Sequence, residues 1–274
     1  MHGNQRRGSS SGPHSSPAEK ILERLCHLAR FSCLTKKELQ QITEAAEFVE
    51  VERKGVIYGV GDDACHVFVV LSGMIKQVSS GSRPLLIGIA GAGDIIGLQS
   101  LFEGGRHRFT AAGLTSSKVA RIDANHFMEV MSTNRGDDVR RILSITIGPW
   151  LQTLEQHPVL TITSVRARLG FALLELAGKF GTRDQRGVIL NLPLTHALLA
   201  DMIGARRSTV SEMVMDLERK GIVVRDCRRF VVDVEALRQS LDTHTTAQRI
   251  HDSADHLPCP PAITVSGPSL LPFR

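Results

Sequence analysis

Between Phe48 and about Ile122 short β-branched and apolar runs alternate with glycine-rich breaks: FVEVE, GVIYGVGDD, HVFVVLSG, IKQVSS, PLLIGIAGAGD, FTAAGL and KVARID. Short runs with this rhythm predict antiparallel strands folded into a sandwich or barrel. Upstream, ILERLCHLARF and LTKKELQQITEAAE repeat apolar residues at helical spacing, and Thr35 with Glu38 three residues later has the form of a capping box. After Asp123 the pattern predicts a long helix, with Val139, Leu143, Ile147, Trp150 and Leu154 on one narrow stripe. A seam this narrow suits a helix paired with another helix, although packing on its own barrel would also use it. Pro149 predicts a kink in that helix and Pro158 its end.

From Ser164 the helical period restarts as SVRARLGFALLELAGKFG, closed by Gly181, and a short strand GVILNL follows. The next stretch is LPLTHALLADMIGARRSTVSEMVMDLERKGIVVRDCRRFVVDVEAL. Thr195 is placed to cap a helix through Ile203, Gly204 supplies a turn where positive φ is cheap, and a second helix runs from about Arg207 to Lys220. Ala200 is small where two helices must touch, and Val210 falls in their joint core. This is the spacing of a helix-turn-helix, which a plain pair of helices with a polar outer face would not require. Val210, Met213, Val214 and Leu217 step by i, i+3, i+4, i+7 and must face inward. That leaves Arg207, Ser208, Ser211 and Glu212 outward near the helix start, flanked by Arg206 and Thr209. The start of a recognition helix meets base edges in the major groove. Arg207 has the fork to read guanine O6 and N7, Ser208 and Ser211 suit a base or a phosphate, and Glu212 suits a cytosine amino group. Beyond Gly221, IVVRDCRRFVVDV reads as a hairpin wing with Arg225, Arg228 and Arg229 at its tip, placed to meet phosphate. A solvated hairpin turn is the competing reading of those arginines.

Composition narrows the class. The chain has 274 residues, enough for two modest domains, and 42% hydrophobic with 22% charged residues is ordinary for a soluble globular protein. The longest glycine-apolar run, LLIGIAGAGDIIG, is broken by Asp94, so no membrane span is expected. Arg6 and Arg7 are followed by no apolar segment, so no secretory signal is expected and the predicted location is the cytoplasm. Residues 1–17 and 242–274 are polar and Gly/Ser/Pro-rich, which predicts disordered tails. Five cysteines without a C-x-x-C pair predict reduced thiols and no metal site. The net charge is +5, and residues 161–241 hold 13 Lys/Arg against 9 Asp/Glu, so the basic excess falls on the helix-turn-helix region. There is no G-x-S-x-G, G-x-x-x-x-G-K-[ST] or H-E-x-x-H, and GAGDIIG misses the dinucleotide spacing, so no catalytic residues are assigned and an enzyme is not expected.

Barrel, long helix and winged helix-turn-helix in that order resemble the Crp/Fnr superfamily of transcription regulators over about residues 30–240. The resemblance rests on GVIYGVGDD at Gly55–Asp63, Gly73, GDIIG at Gly93–Gly97, and the helix-turn-helix. It implies an α+β chain: a cyclic-nucleotide-binding-like β-barrel (jelly roll) sensor over 18–134, a dimerisation helix over 135–160, and a Crp-type winged domain over 161–241. It also implies a homodimer on a palindromic site in double-stranded DNA, with RNA polymerase as a further partner of an activator. GLQSLFEGGRHRFTAAG resembles the family's effector cassette, which points to Gly97, Leu98, Gln99, Arg108 and Phe109. Arg108 matches the arginine that grips a cyclic phosphate, so a cyclic nucleotide is the effector the resemblance suggests. Leu98 stands where cyclic-AMP binders place a glutamate, and Phe109 where they place a hydroxyl. Two unpaired groups at ~1–3 kcal/mol each predict against tight cyclic-AMP binding. The recognition helix departs too, with Ser208 for the usual glutamate and Glu212 for the usual second arginine, so the operator should differ from the commonest family sites. Only Cys26 and Cys33 stand near the N-terminus, too few for an iron-sulfur cluster, and His66, His107 and His126 carry no haem signature. Two alternatives stay open: a regulator whose barrel serves only dimerisation, and a cyclic-nucleotide-responsive module that does not bind DNA.

Overall fold

The computed structural model describes residues 17–26, 31, 34–81, 84–102, 105–132, 164–226 and 229–241. The stripe from Val139 to Leu154, with Pro149 and Pro158, lies outside these residues, as do nearly all of both predicted tails.

Two helices lead in, α1 (Pro17–Cys26) and α2 (Lys36–Glu44). The capping box at α2 is complete. Thr35 Oγ1 accepts from the Glu38 backbone amide at 3.3 Å, and Glu38 Oε2 accepts from the Thr35 amide at 2.7 Å. These bonds satisfy donors that a helix start leaves unpaired, and they explain a carboxylate that is only 3% exposed.

Eight strands follow: β1 (Glu47–Val51), β2 (Val56–Tyr58), β3 (His66–Ser72), β4 (Ile75–Ser79), β5 (Leu86–Ala90), β6 (Ile95–Ile96), β7 (Phe109–Gly113) and β8 (Ser117–Asp123). All seven sequence runs contribute strands, and the short β6 inside GDIIG is the addition. They form two antiparallel four-stranded sheets, β1-β8-β3-β6 and β2-β7-β4-β5, stacked as a jelly roll. Two helices join them, α3 (Leu98–Phe102) and α4 (Ala124–Met131).

Strand β3 shows why its run is almost wholly apolar. Val67, Val69 and Leu71 face the helices in one core with Leu39, Ile42 and Phe127, while Phe68 and Val70 face the sandwich interior with Val51, Tyr58, Ile75 and Val119. A strand buried on both faces keeps its period-two geometry but loses the polar alternation.

The C-terminal domain begins with α5 (Val165–Phe180), capped by Ser164. It continues with β9 (Gly181–Asp184), β10 (Gly187–Leu190), α6 (His196–Ile203), α7 (Arg207–Arg219), β11 (Val223–Asp226) and β12 (Arg229–Val232), and a last helix, α8, covers 234–241. Gly181 ends α5 as expected, but its φ of −84° and ψ of 147° are extended and it opens β9, a strand not anticipated from TRDQ. The sheet order is β11-β12-β10-β9.

The core of this domain does not stop at its own boundary. Leu86 and Ile89 of β5 are buried with Leu176, Leu199, Ile203 and Val210. A register shift where Gln77 pairs Gly88 and Val78 pairs Leu86 displaces Ile87, which stays 40% exposed. That bulge lets Leu86 and Ile89, three apart, serve the same face.

Candidate DNA-reading face and effector cassette

The helix-turn-helix is built from local chemistry. Thr195 Oγ1 accepts from the Leu198 amide at 3.1 Å and starts α6. Gly204 ends it with φ 61° and ψ 39°, and its amide donates back to the Ala200 carbonyl. A side chain there would carry left-handed strain of about 1–2 kcal/mol. In α7, Val210, Val214 and Leu217 are buried and Met213 is half-buried, as the spacing predicts. Their burial, about 1.5–3 kcal/mol for each large side chain, fixes the helix rotation and so decides what faces out.

The outward residues are Arg206, Arg207, Ser208 and Glu212, all exposed, with Thr209 half-buried beside them. Arg206 sits at the N-cap in extended geometry without a side-chain cap bond, so the helix start keeps backbone N–H groups available to an anion. Together they form one exposed strip of cationic, hydroxyl and carboxylate groups at the N-terminal end of a helix buried along its other face.

Ser211 behaves differently from its neighbours. Its hydroxyl donates to the Arg207 carbonyl at 2.9 Å and lies 2.8 Å from His196 Nδ1. Arg225, expected as a phosphate contact at the wing tip, is exposed and also makes contacts within the domain. Its Nη2 is 3.0 Å from His196 Nε2, its Nε is 3.3 Å from Glu218 Oε1, and its guanidinium lies 5.2 Å from the Phe230 ring centre. Arg228 lies outside the described residues. Arg229 is exposed, with Nη1 3.4 Å from Asn191 Oδ1. The wing is anchored a second time by Arg186, which bridges Asp184 at 3.0 Å and Asp226 at 2.7 Å.

His196 was not singled out from sequence. Its one signal is a polar residue directly after the cap in the apolar run HALLADMI. Burial first, and then the Arg225 charge, hold its imidazole below the usual histidine range, with Glu218 opposing and Arg207 adding to the effect. On the far side of α7, Asp216 meets Lys220 at 3.0 Å and Arg166 of α5 at 2.7 Å. Lys220 and Arg166 bring its carboxyl down to about 2.

The cassette residues differ in burial and packing. Gly97 is buried with φ 86°, and a Cβ there would come within 3.1 Å of the His66 carbonyl oxygen. Leu98 packs into the core between sheet and helices, with Leu39 and Phe127, rather than into the sandwich. Gln99 is half-buried, Arg108 is exposed just before β7, and Phe109 is half-buried opposite Ser79. The interior beside Gly97 is filled by two residues the sequence reading gave no such role. Tyr58 stacks on His107 at 3.7 Å between ring centres with 12° between planes, and lies 5.7 Å from Phe68. Its hydroxyl accepts from Gln77 Nε2 at 3.3 Å and also meets the Gly97 amide. Burial drives the Tyr58 phenol up to about 12 and pulls His107 below the usual histidine range. His107 Nδ1 is 3.0 Å from Ser100 Oγ of α3.

A cavity of about 430 Å³ opens beside this stack, lined by Tyr58, His66, Phe68, His107, Asp62 and Arg121 among others. His126 lies elsewhere, against the Gln41 carbonyl at 3.1 Å. Among the described residues no three His, Cys, Asp or Glu side chains stand together to hold a metal ion, and no helix is long and apolar enough to cross a membrane. Cys26 and Cys65 are exposed free thiols.

A jelly roll joined to a winged helix-turn-helix with an exposed reading strip defines a DNA-binding transcription regulator. Residues 48–134 match the family model for the cyclic nucleotide-binding domain and residues 167–240 that for the Crp-like helix-turn-helix domain. The chain belongs to the Crp/Fnr superfamily. It is similar to the CRP-like cAMP-activated global transcriptional regulator of Mycobacterium tuberculosis, 23% identical over 217 residues, covering 76% of this chain and 96% of that one. It is also similar to the transcriptional regulator LdrP of Thermus thermophilus, 27% identical over 195 residues, covering 68% and 93%. In fold it resembles the structure of FixK2 from Bradyrhizobium japonicum, with a TM-score of 0.62 and 21% identity over 71% of this chain and 96% of that one.

Proposed function

We propose that the protein works in the cytoplasm as a homodimer on a palindromic operator, one α7 per half-site, with half-sites about one helical turn apart. Residues 18–134 act as the sensor-like domain, 135–160 as the dimerisation helix and 161–241 as the DNA-binding domain. The reading is supported chiefly by Arg207, Ser208 and Glu212 standing exposed while Val210, Val214 and Leu217 of the same helix are buried. Arg207 reads a guanine, Glu212 a cytosine amino group, and Arg206, Thr209 and Arg229 meet phosphate. The protein acts by binding rather than catalysis, and an activating role would bring RNA polymerase as a partner. Selection of duplexes from a randomised pool, followed by Arg207→Ala, tests this. The variant should keep its fold and lose about 1–3 kcal/mol of preference at one base position per half-site. Uniform loss at every sequence would make Arg207 a phosphate contact, and no enrichment by the wild type would overturn the DNA reading.

The cyclic AMP in the name of the mycobacterial relative supports a second reading, a cyclic nucleotide bound at Gly97, Gln99 and Arg108. Tyr58 stacked on His107 beside Gly97, with Leu98 turned to the helical core, favours a barrel without a tight cyclic-AMP site.

A further inference from the structure

Ser211, His196 and Arg225 belong to three different elements, α7, α6 and β11, and they meet in one line of polar atoms. Only one arrangement of protons satisfies all of it. The Arg207 carbonyl can only accept, so at 2.9 Å it takes the Ser211 hydroxyl proton. Ser211 Oγ must then accept from His196 at 2.8 Å, which puts a hydrogen on Nδ1. A guanidinium can only donate, so Arg225 Nη2 at 3.0 Å requires Nε2 to be bare. The ring is therefore the neutral Nδ1–H tautomer.

We propose that His196 is a positioning residue that ties the wing to the recognition helix in this tautomer, and that its protonation lowers the protein's discrimination between its operator and random DNA. The inference rests on the DNA-binding reading of the same face. A proton on Nε2 would set N–H against N–H at the 3.0 Å contact and place two positive charges side by side. Arg225 would keep Glu218 of α7 at 3.3 Å and its place by Phe230, but its link to His196 of α6, and through that ring to Ser211 near the start of α7, would be lost. The charged and titratable groups facing the ring are Arg225 from β11 and Arg207 and Glu218 from α7, and Phe230 of β12 lies 6.4 Å away. Two cations against one carboxylate, with burial, favour the neutral ring, so the link is made at neutral pH and broken on acidification. The added positive charge raises attraction to any phosphate backbone, while the loosened wing weakens fit to one sequence.

The same proton assignment gives Ser211 a restricted role. Its hydroxyl hydrogen is committed to Arg207, so it has a lone pair to offer and no donor. It therefore fits the amino group of an adenine or cytosine and not a phosphate oxygen.

The test uses the full chain. Ring ¹⁵N NMR across pH should show the Nδ1–H tautomer with a midpoint below ordinary histidine, moving up in Arg225→Ala. An Nε2–H tautomer, or a midpoint indifferent to Arg225→Ala, overturns the proposal. Next, a duplex selected by the wild type near neutral pH is compared with a random duplex as the pH falls by about two units through the histidine range. The affinity ratio should drop about tenfold in the wild type and stay within about twofold in His196→Gln, with Arg225→Ala equally flat as the second variant. Parallel profiles in wild type and both variants would remove the role assigned to His196 while leaving DNA binding intact. If the wild type enriches no duplex at any pH, the DNA reading itself has failed and this proposal falls with it, whatever the ring shows.

Discussion

Lys179 Nζ stands 2.7 Å from Asp94 Oδ2 and 2.7 Å from the Ile89 carbonyl oxygen, which pins the last turn of α5 to the corner between β5 and β6. Asp94 Oδ2 also accepts from the Gly91 amide at 2.9 Å, and its side chain is only 12% exposed. Next to it Phe180 lies over Gly91 so closely that a Cβ there would sit 2.7 Å from its ring. With Leu86 and Ile89 sunk into the winged domain, jelly-roll strand β5 and the winged domain share one core.

Lys179→Ala should therefore act at a distance. It leaves Asp94 poorly solvated with one partner fewer, a cost of about 1–2 kcal/mol once the exposure of Lys179 is discounted. Hydrogen exchange should speed up together in Leu86–Ala90 and His196–Ile203, the two segments held in that shared core. Acceleration confined to α5 would mean that the ion pair does not couple the domains.

Tyr58 is the chain's only tyrosine, so phenolate absorbance reports it alone. The phenol should titrate at about 12, because the phenolate would lie buried against His107 and Phe68. Its folded value is raised above the unfolded value of about 10, so the stability it contributes is full below pH about 10 and lost as pH rises toward 12. A midpoint near 10 in the folded protein would mean that the ring is solvated.

His107 sets the acid side. Burial lowers its folded value below the unfolded value of about 6.5, so the unfolded chain binds more protons as pH falls through that value. Stability is full above it and declines below it. Urea unfolding as a function of pH should show this decline in the wild type and a shallower one in His107→Gln, which keeps a polar partner for Ser100. Equal acid slopes would assign the decline to other groups.

Calorimetric titration of cyclic AMP, with Arg108→Ala as control, addresses the cassette. The expected result is no saturable heat below the millimolar range, because Tyr58 occupies the space at Gly97 and Leu98 supplies no polar partner. Micromolar binding lost in Arg108→Ala would show that the Tyr58–His107 stack opens for a ligand.

Much of this molecule is decided within a few residues of each position, and there the sequence alone determined the outcome. The capping box at Thr35 and Glu38, the helix-turn-helix about Gly204, the inward stripe of α7 and seven of the eight jelly-roll strands follow from periodicity and caps, whose energetics are local. The exposed start of α7 was legible for the same reason, since burying one helical face leaves the other to solvent. What only the tertiary structure decided involves partners far apart in the chain. Lys179 and Ile89 are 90 residues apart, and nothing in PLLIGIAGAGD shows that Leu86 and Ile89 serve another domain. A strand apolar on both faces has no alternation to reveal which side meets which core. Leu98 turned toward the helices, Tyr58 stacked on His107, and the contacts of Arg225 with His196 and Glu218 were settled by packing and by pairing of polar groups between elements. Those requirements act between elements once they meet in space, and a linear pattern carries no record of them.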